Sequence, residues 1–303
     1  MAVVGALLLT GAGCQADQPQ PAPGPQRGPQ VVVASFSFPE SDLLAEIYAQ
    51  ALEGVGVPVR REVDVGPREL VQPALRQGLV DLVPEYLGTA LSSVSPDSTV
   101  DVGDPVAVRA ALDDALAAWR LQTLTPATAS NQNGLVVTSA TARRLGLDEV
   151  SDLRPVAGRM VFGMPPECPG REYCLIGMRR VYGLQFRDLV PLSTEAQRTA
   201  ALEEGVVDVA LMFTTDGRLA AGDLVLLADD RGLQPVENVV PVVSSRAVRA
   251  YGDRLVQTLD RVSAQLTTAN LVFLNWRVGV AGKDVAGEAR GWLRRHGLLT
   301  AQP

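Results

Sequence analysis

Apolar positions along the chain come in short continuous runs, separated by stretches with helical spacing. VVVAS (31–35) reads as a strand, and in PESDLLAEIYAQALEGVG the residues Leu43, Leu44, Ile47, Ala51 and Val55 form a helical stripe. Pro39 and Glu40 suit the first turn of that helix, and Gly54 or Gly56 suits its end. PVRREVDV (58–65) alternates as a strand. PRELVQPALRQG reads as a helix that Pro73 should kink or delay, and LVDLV (79–83) as the next strand. The order recurs. RMVFGM (159–164) is a strand, CLIGMRRVYG a helix, FRDLVPL a strand, STEAQRTAALEEG a helix capped by Ser193 or Thr194, and VVDVALMF a strand.

Two α/β units are therefore expected, at about 31–130 and 134–235, with parallel sheets covered by helices on both faces. NVVPVV (238–243) then returns as a strand, and the rest is mainly helix, ending in VAGEARGWLRRHGL with Val285, Ala289, Trp292 and Leu293 on one face. A chain that crosses between units twice has the layout of a two-lobed binding protein with a paired-strand hinge. On this reading residues 31–132 plus 236–303 form one lobe and 133–235 the other.

One device is built twice. GLVDLVPEYLGTAL (78–91) and GVVDVALMFTTDGRL (205–219) share a Gly-x-Val-Asp opening, an apolar run, a ring and a polar turn. Gly78 and Gly205 stand 127 residues apart, as do Asp81 and Asp208, and Tyr86 and Phe213. Ligands of open α/β sheets bind beyond the carboxyl ends of the strands, so both rings are expected in one interlobe cleft. Gly88-Thr89 and Thr215-Asp216-Gly217 open the following turns, where free N–H groups and hydroxyls favour an anion or polar ligand. The plainer alternative makes Tyr86 and Phe213 core rings at strand ends.

Composition narrows the partners. A net charge of −7, a single lysine (Lys283) and no basic run argue against nucleic acid. After the N-terminus no segment reaches the roughly 18 apolar residues of a spanning helix. MAVVGALLLTGAGC resembles a bacterial lipoprotein signal covering residues 1–14, although it has no Lys or Arg and Gly11 replaces the usual Leu. Cys14 is then the lipidated residue. An ordinary secretory signal is the alternative. QADQPQPAPGPQRGPQ (15–30), with five prolines, reads as a semi-rigid tether. With Cys14 acylated, Cys168 and Cys174 are left as an even pair in an oxidising compartment, which points to a disulfide. A zinc site is disfavoured, because His296 is the only histidine.

SFSFPESDLLAEIYAQALE, GLVDLVPEYLGTAL, PPECPGREYCLIGMRRVYGL, GVVDVALMFTTDGRL and LADDRGLQPVENVVPVV, in this order, resemble the osmoprotectant-type substrate-binding proteins of ABC importers. The resemblance implies a type II periplasmic-binding-protein fold, no cofactor, a small zwitterionic or cationic solute, and permease and ATPase partners. Members hold a quaternary ammonium in a tyrosine box and a carboxylate on an arginine. Tyr86 matches a box tyrosine, Thr89 a ligand-holding threonine, and Arg171 the carboxylate-binding arginine. Phe213 stands where a tyrosine is usual. Asn133 and Glu237 replace two further rings, and Phe36 stands in place of a lysine, offering an apolar wall. The box is thus half dismantled, which favours an amine that carries N–H donors over a compact trimethylammonium.

An enzyme is the rival class. It is disfavoured because the chain has no Gly-x-Ser-x-Gly elbow, no histidine-based triad and no metal-ligand cluster. A sensor or scaffold on the same fold is a third reading.

Overall fold

The computed structural model describes residues 29–299. The signal segment, Cys14 and most of the tether lie outside the described residues. Ten strands form two five-stranded sheets. The first sheet holds β1 (Val31–Ala34), β2 (Val59–Glu62), β3 (Leu82–Tyr86), β4 (Leu121–Thr123) and β10 (Val239–Ser244), in the order β2-β1-β3-β10-β4. The second holds β5 (Asn133–Thr138), β6 (Val161–Met164), β7 (Asp188–Pro191), β8 (Val209–Phe213) and β9 (Leu224–Leu226), in the order β7-β6-β8-β5-β9. The two orders are the same path, so the repeat in the sequence is a repeat in topology.

The sheets are mixed, and this corrects the parallel expectation. β1, β2 and β3 run parallel, as do β6, β7 and β8. The remaining strands join antiparallel, β10 to β3 and β4, and β5 to β8 and β9. β5 and β10 are the strands that enter each sheet from a crossing, so no βαβ connection fixes their direction.

Side chains alternate between two buried faces. Val31, Val33, Leu82, Tyr86, Val239 and Val243 join one cluster with helices Pro39–Gly54, Asp253–Gln265 and Val285–Arg295. Val32, Ala34, Val83, Val240 and Val242 join another with helices Arg68–Arg76, Leu87–Val94 and Pro105–Ala117. Burial on both faces explains why these strands read as continuous apolar runs. The second sheet repeats the arrangement, with Val209 and Leu211 on one face and Ala210 and Met212 on the other.

Two local expectations change. Helix Arg68–Arg76 runs through Pro73 without a break. Pro73 is the sixth residue of this helix, past the first turn, so the helix forgoes the one bond that an N–H at 73 would make to the Glu69 carbonyl. β3 spans Leu82–Tyr86 rather than 79–83, and Leu79 is exposed. Pro84 lies opposite Pro241, so the two prolines share a pair that exchanges no hydrogen bonds.

The repeated aspartates do the same work in both units. The Asp81 carboxylate accepts the backbone N–H of Val32 at 3.1 Å, and Asp208 accepts that of Val161 at 2.8 Å. Each ties its strand entry to the neighbouring strand, after a glycine at φ +73° (Gly78) or +71° (Gly205), where other residues are strained.

The segments between the sheets run side by side. Ala127 donates its N–H to Val239, Val239 to Ala129, and Asn131 to Glu237, at 2.8, 2.9 and 3.0 Å. Among the described residues no helix is long and apolar enough to cross a membrane.

Candidate ligand cleft between the sheets

A cleft of about 280 Å³ opens where the two crossings meet the strand ends. Thr89 and Ser92 come from the first unit, Arg171, Tyr173 and Phe213 from the second, and Asn131, Asn133, Gln234 and Glu237 from the crossings or their ends.

The first wall is built on Gly88. Its N–H donates to the carbonyl of Val236 at 2.9 Å, and a Cβ there would lie 2.8 Å from that same oxygen. Only glycine lets helix Leu87–Val94 start this close to the second crossing. The approach brings Thr89 against Glu237. The Glu237 carboxylate accepts the Thr89 N–H at 3.1 Å and also the Thr89 hydroxyl. The helix start expected to hold a ligand anion is thus occupied by the protein's own carboxylate. Glu237 is 6% exposed, and burial pushes its carboxyl up to about 7, against the lowering bonds from Thr89 and the nearby Arg68.

The second wall is the cysteine loop. Cys168 and Cys174 are joined by a disulfide with their Cα atoms 5.3 Å apart. The loop between them carries Arg171, whose side chain is 67% exposed and only 3.6 Å from the Glu167 carboxylate. Tyr173 follows at a break in the helical backbone (φ −89°, ψ 26°). Its carbonyl accepts from Gln234 at 3.2 Å and from Asn133 at 3.4 Å, pinning this loop to both crossings. Phe213, at the end of β8, is 38% exposed and also lines a smaller space containing Glu40, Glu195 and Asp216.

Thr89, Asn133, Arg171, Phe213 and Glu237 therefore share one cleft. Tyr86 and Phe36 lie behind it. Tyr86 is 6% exposed and its hydroxyl donates to Glu40 at 2.6 Å; burial and that carboxylate hold the phenol well above its usual range. Asn131 and Asn275 also donate to Glu40, at 2.8 and 2.6 Å. Phe36 is 3% exposed, stacked on Phe38 and covered by the Arg68 guanidinium 4.8 Å from its ring centroid. Its place in the core cluster just past β1, beside the partly buried Arg68, withholds it from the cleft as an apolar wall.

Sequence reasoning missed Tyr173, Asn131 and Gln234. Asn131 stands two before Asn133, a spacing that puts side chains on one side of an extended chain, whereas Tyr173, two beyond Arg171, lies where the backbone is not extended and carried no such signal.

The family model for the substrate binding domain of ABC-type glycine betaine transport system matches residues 29–295. The chain belongs to this family. It is 28% identical over 286 residues to the glycine betaine-binding protein YehZ of Escherichia coli (strain K12), a match covering 90% of this chain and 92% of that protein. It is 25% identical over 269 residues to the ergothioneine transport permease/ergothioneine binding protein EgtU of Helicobacter pylori (strain G27), covering 88% of this chain and 48% of that longer protein. Among solved structures, one described as a glycine betaine/carnitine/choline ABC transporter superposes with a TM-score of 0.81 at 24% identity, over 89% of this chain and 99% of that one. That likeness establishes the two-lobed α/β binding-protein fold.

Proposed function

We propose that this protein is the extracytoplasmic solute receptor of an ABC importer, delivering a small zwitterionic or cationic amine to a permease driven by an ATPase. The observation that carries the reading is the pairing of Arg171 and Glu237 in one cleft, with the Phe213 and Tyr173 rings among its lining. A guanidinium fork suits a ligand carboxylate. A buried carboxylate beside aromatic faces suits an ammonium, above all one with N–H donors. The receptor acts by closing on its ligand about the paired crossings, residues 31–132 plus 236–303 moving against 133–235, and performs no chemistry. Lipid on Cys14 and the tether of residues 15–30 hold it at the outer face of the membrane.

Calorimetric titration tests the reading. Glycine betaine, N,N-dimethylglycine and choline are compared, and one-to-one saturable binding is expected, tightest for dimethylglycine, which has both a carboxylate and an N–H. A titration in which none of the three binds refutes it. The anchor is tested separately: Cys14→Ser should release the protein from membranes into the soluble fraction.

A further inference from the structure

Behind the cleft lies a second space that the reading above does not use. It measures about 180 Å³ and is walled mainly by Leu135, Val150, Met178, Leu226, Leu227 and Leu233. Five of these six are under 7% exposed, Leu226 being the half-buried one. Asn133 and Gln234 line both spaces and form the partition between them. That partition is thin. The Asn133 amide reaches the Gln234 side-chain oxygen at 3.4 Å, and both amides share the Tyr173 carbonyl. Three neutral hydrogen bonds of 3.2 to 3.4 Å are cheap to rearrange compared with a packed ring.

The polar atoms at the edge of the space are already satisfied. Asp229 accepts from the Tyr182 hydroxyl and from the backbone N–H groups of Leu233 at 3.0 Å and Gln234 at 2.8 Å. What remains is apolar wall. Gly134 helps to keep it open, since a Cβ there would lie 2.3 Å from a Leu226 methyl and force that side chain to move. An apolar cavity of about 150 Å³ accepts a benzene ring in a protein core, so this one has the size and lining for a ring or a branched alkyl group.

We infer that this space is an annex of the ligand cleft and takes an apolar substituent of the ligand, so that the solute is larger than glycine betaine. The inference rests on the receptor reading and deepens it. The ligand's ammonium and carboxylate stay with Glu237 and Arg171. Its side group passes between the Asn133 and Gln234 amides. An asparagine in place of a ring at position 133 is what makes the partition passable.

The test uses matched pairs that differ only by a benzyl group: N,N-dimethylglycine against N,N-dimethyl-L-phenylalanine, and glycine betaine against its benzyl counterpart. Calorimetry on the mature chain should show the benzyl member at least tenfold tighter in each pair that binds. In Leu226→Phe, which fills the annex, and Asn133→Tyr, which closes the partition, the ratio should fall to about one. Tight binding of the small members with no benzyl gain, or a gain that both variants leave intact, overturns the annex and spares the receptor. Binding of no member of either pair overturns both.

Discussion

The carboxylate of Glu237 and the N-terminal turn at Thr89 are bonded twice, through the Thr89 N–H at 3.1 Å and through its hydroxyl. These bonds join the second crossing to helix Leu87–Val94 in the first wall of the cleft. It also makes the helix start a place for an internal acid rather than for a ligand anion. The cleft is therefore asymmetric, with the buried Glu237 carboxylate on this side and the exposed Arg171 guanidinium, beside Glu172, on the other.

That asymmetry gives a pH dependence. Burial pushes Glu237 up to about 7, and burial with the nearby Asp216 does the same to Glu195. Both groups titrate near 4.5 when unperturbed. Between about 4.5 and 7 the folded protein holds more protons than the unfolded chain, so this contribution to stability is full below 4.5 and lost as the pH rises through 7. A cationic ligand prefers the ionised Glu237, so affinity should rise over the same window. Glu237→Gln should flatten the affinity profile, read by calorimetry from pH 5 to 8, and should shallow the stability profile, read by urea unfolding, leaving the part that Glu195 contributes. An affinity profile that keeps its slope in Glu237→Gln would assign that titration elsewhere.

Arg171 is the freest charge in the cleft wall. An exposed pair at 3.6 Å with Glu167 is worth under about 1 kcal/mol, so the guanidinium is available to a ligand. Once the closed cleft excludes water, Arg171→Ala should cost on the order of 2 to 5 kcal/mol of binding to a carboxylated ligand. Choline, which has no carboxylate, should be little affected. Arg171→Lys should recover only part of the loss, because an ammonium does not reproduce the fork. Equal losses for carboxylated ligands and choline would reduce Arg171 to a general electrostatic role.

What the sequence made legible follows from period and local chemistry. Continuous apolar runs located the strands, Thr194 with Gln197 caps its helix, and Asp81 with Asp208 marked the repeat. Strand direction was not legible for β5 and β10, because an apolar run looks the same whichever way it is paired. Of the two matched rings, Phe213 lines the cleft and Tyr86 lies behind it, for a related reason. A tyrosine at a strand exit has two sides available, and Glu40, distant in sequence, takes the Tyr86 hydroxyl inward. Thr89 was placed at the cleft, but its partner came from a residue 148 positions away. Pairings at that range leave no periodic trace.

The disulfide should matter more for affinity than for folding. A loop this short contributes about 2 kcal/mol by chain entropy, a modest part of the stability of a chain this size. The same loop, however, aims Arg171 and sets the Tyr173 carbonyl that both crossing amides share. The double variant Cys168→Ser/Cys174→Ser should remain folded by circular dichroism and lose at least tenfold in affinity for a carboxylated ligand. Retained affinity would show that Gln234 and Asn133 hold the loop without the bridge. Peptide mapping without reductant checks the premise, and free thiols at both positions would remove it.

The last expectation concerns the one hydrogen bond that, among the described residues, joins the C-terminal helices to the second unit. Asn275, at the end of helix Thr268–Asn275, donates to Glu40 at 2.6 Å and to the carbonyl of Thr215 at 2.8 Å, so one amide touches both units. Gly217 makes this possible. A Cβ there would stand 2.3 Å from the Trp276 nitrogen and 2.6 Å from its Cα, backbone atoms that cannot rotate away. Gly217→Ala must therefore separate the segments or strain both, at about 1–3 kcal/mol by the usual cost of overpacking. Gly279→Ala is the control, since nothing lies within 4 Å of the added methyl. Urea unfolding should show the loss in Gly217→Ala alone. Gly217→Ala should also weaken ligand binding, because displacing Asn275 removes a donor from the carboxylate that anchors Tyr86 behind the cleft. If both alanine variants are equally stable, the contact yields more easily than backbone packing allows, and the C-terminal helices do not brace the second unit.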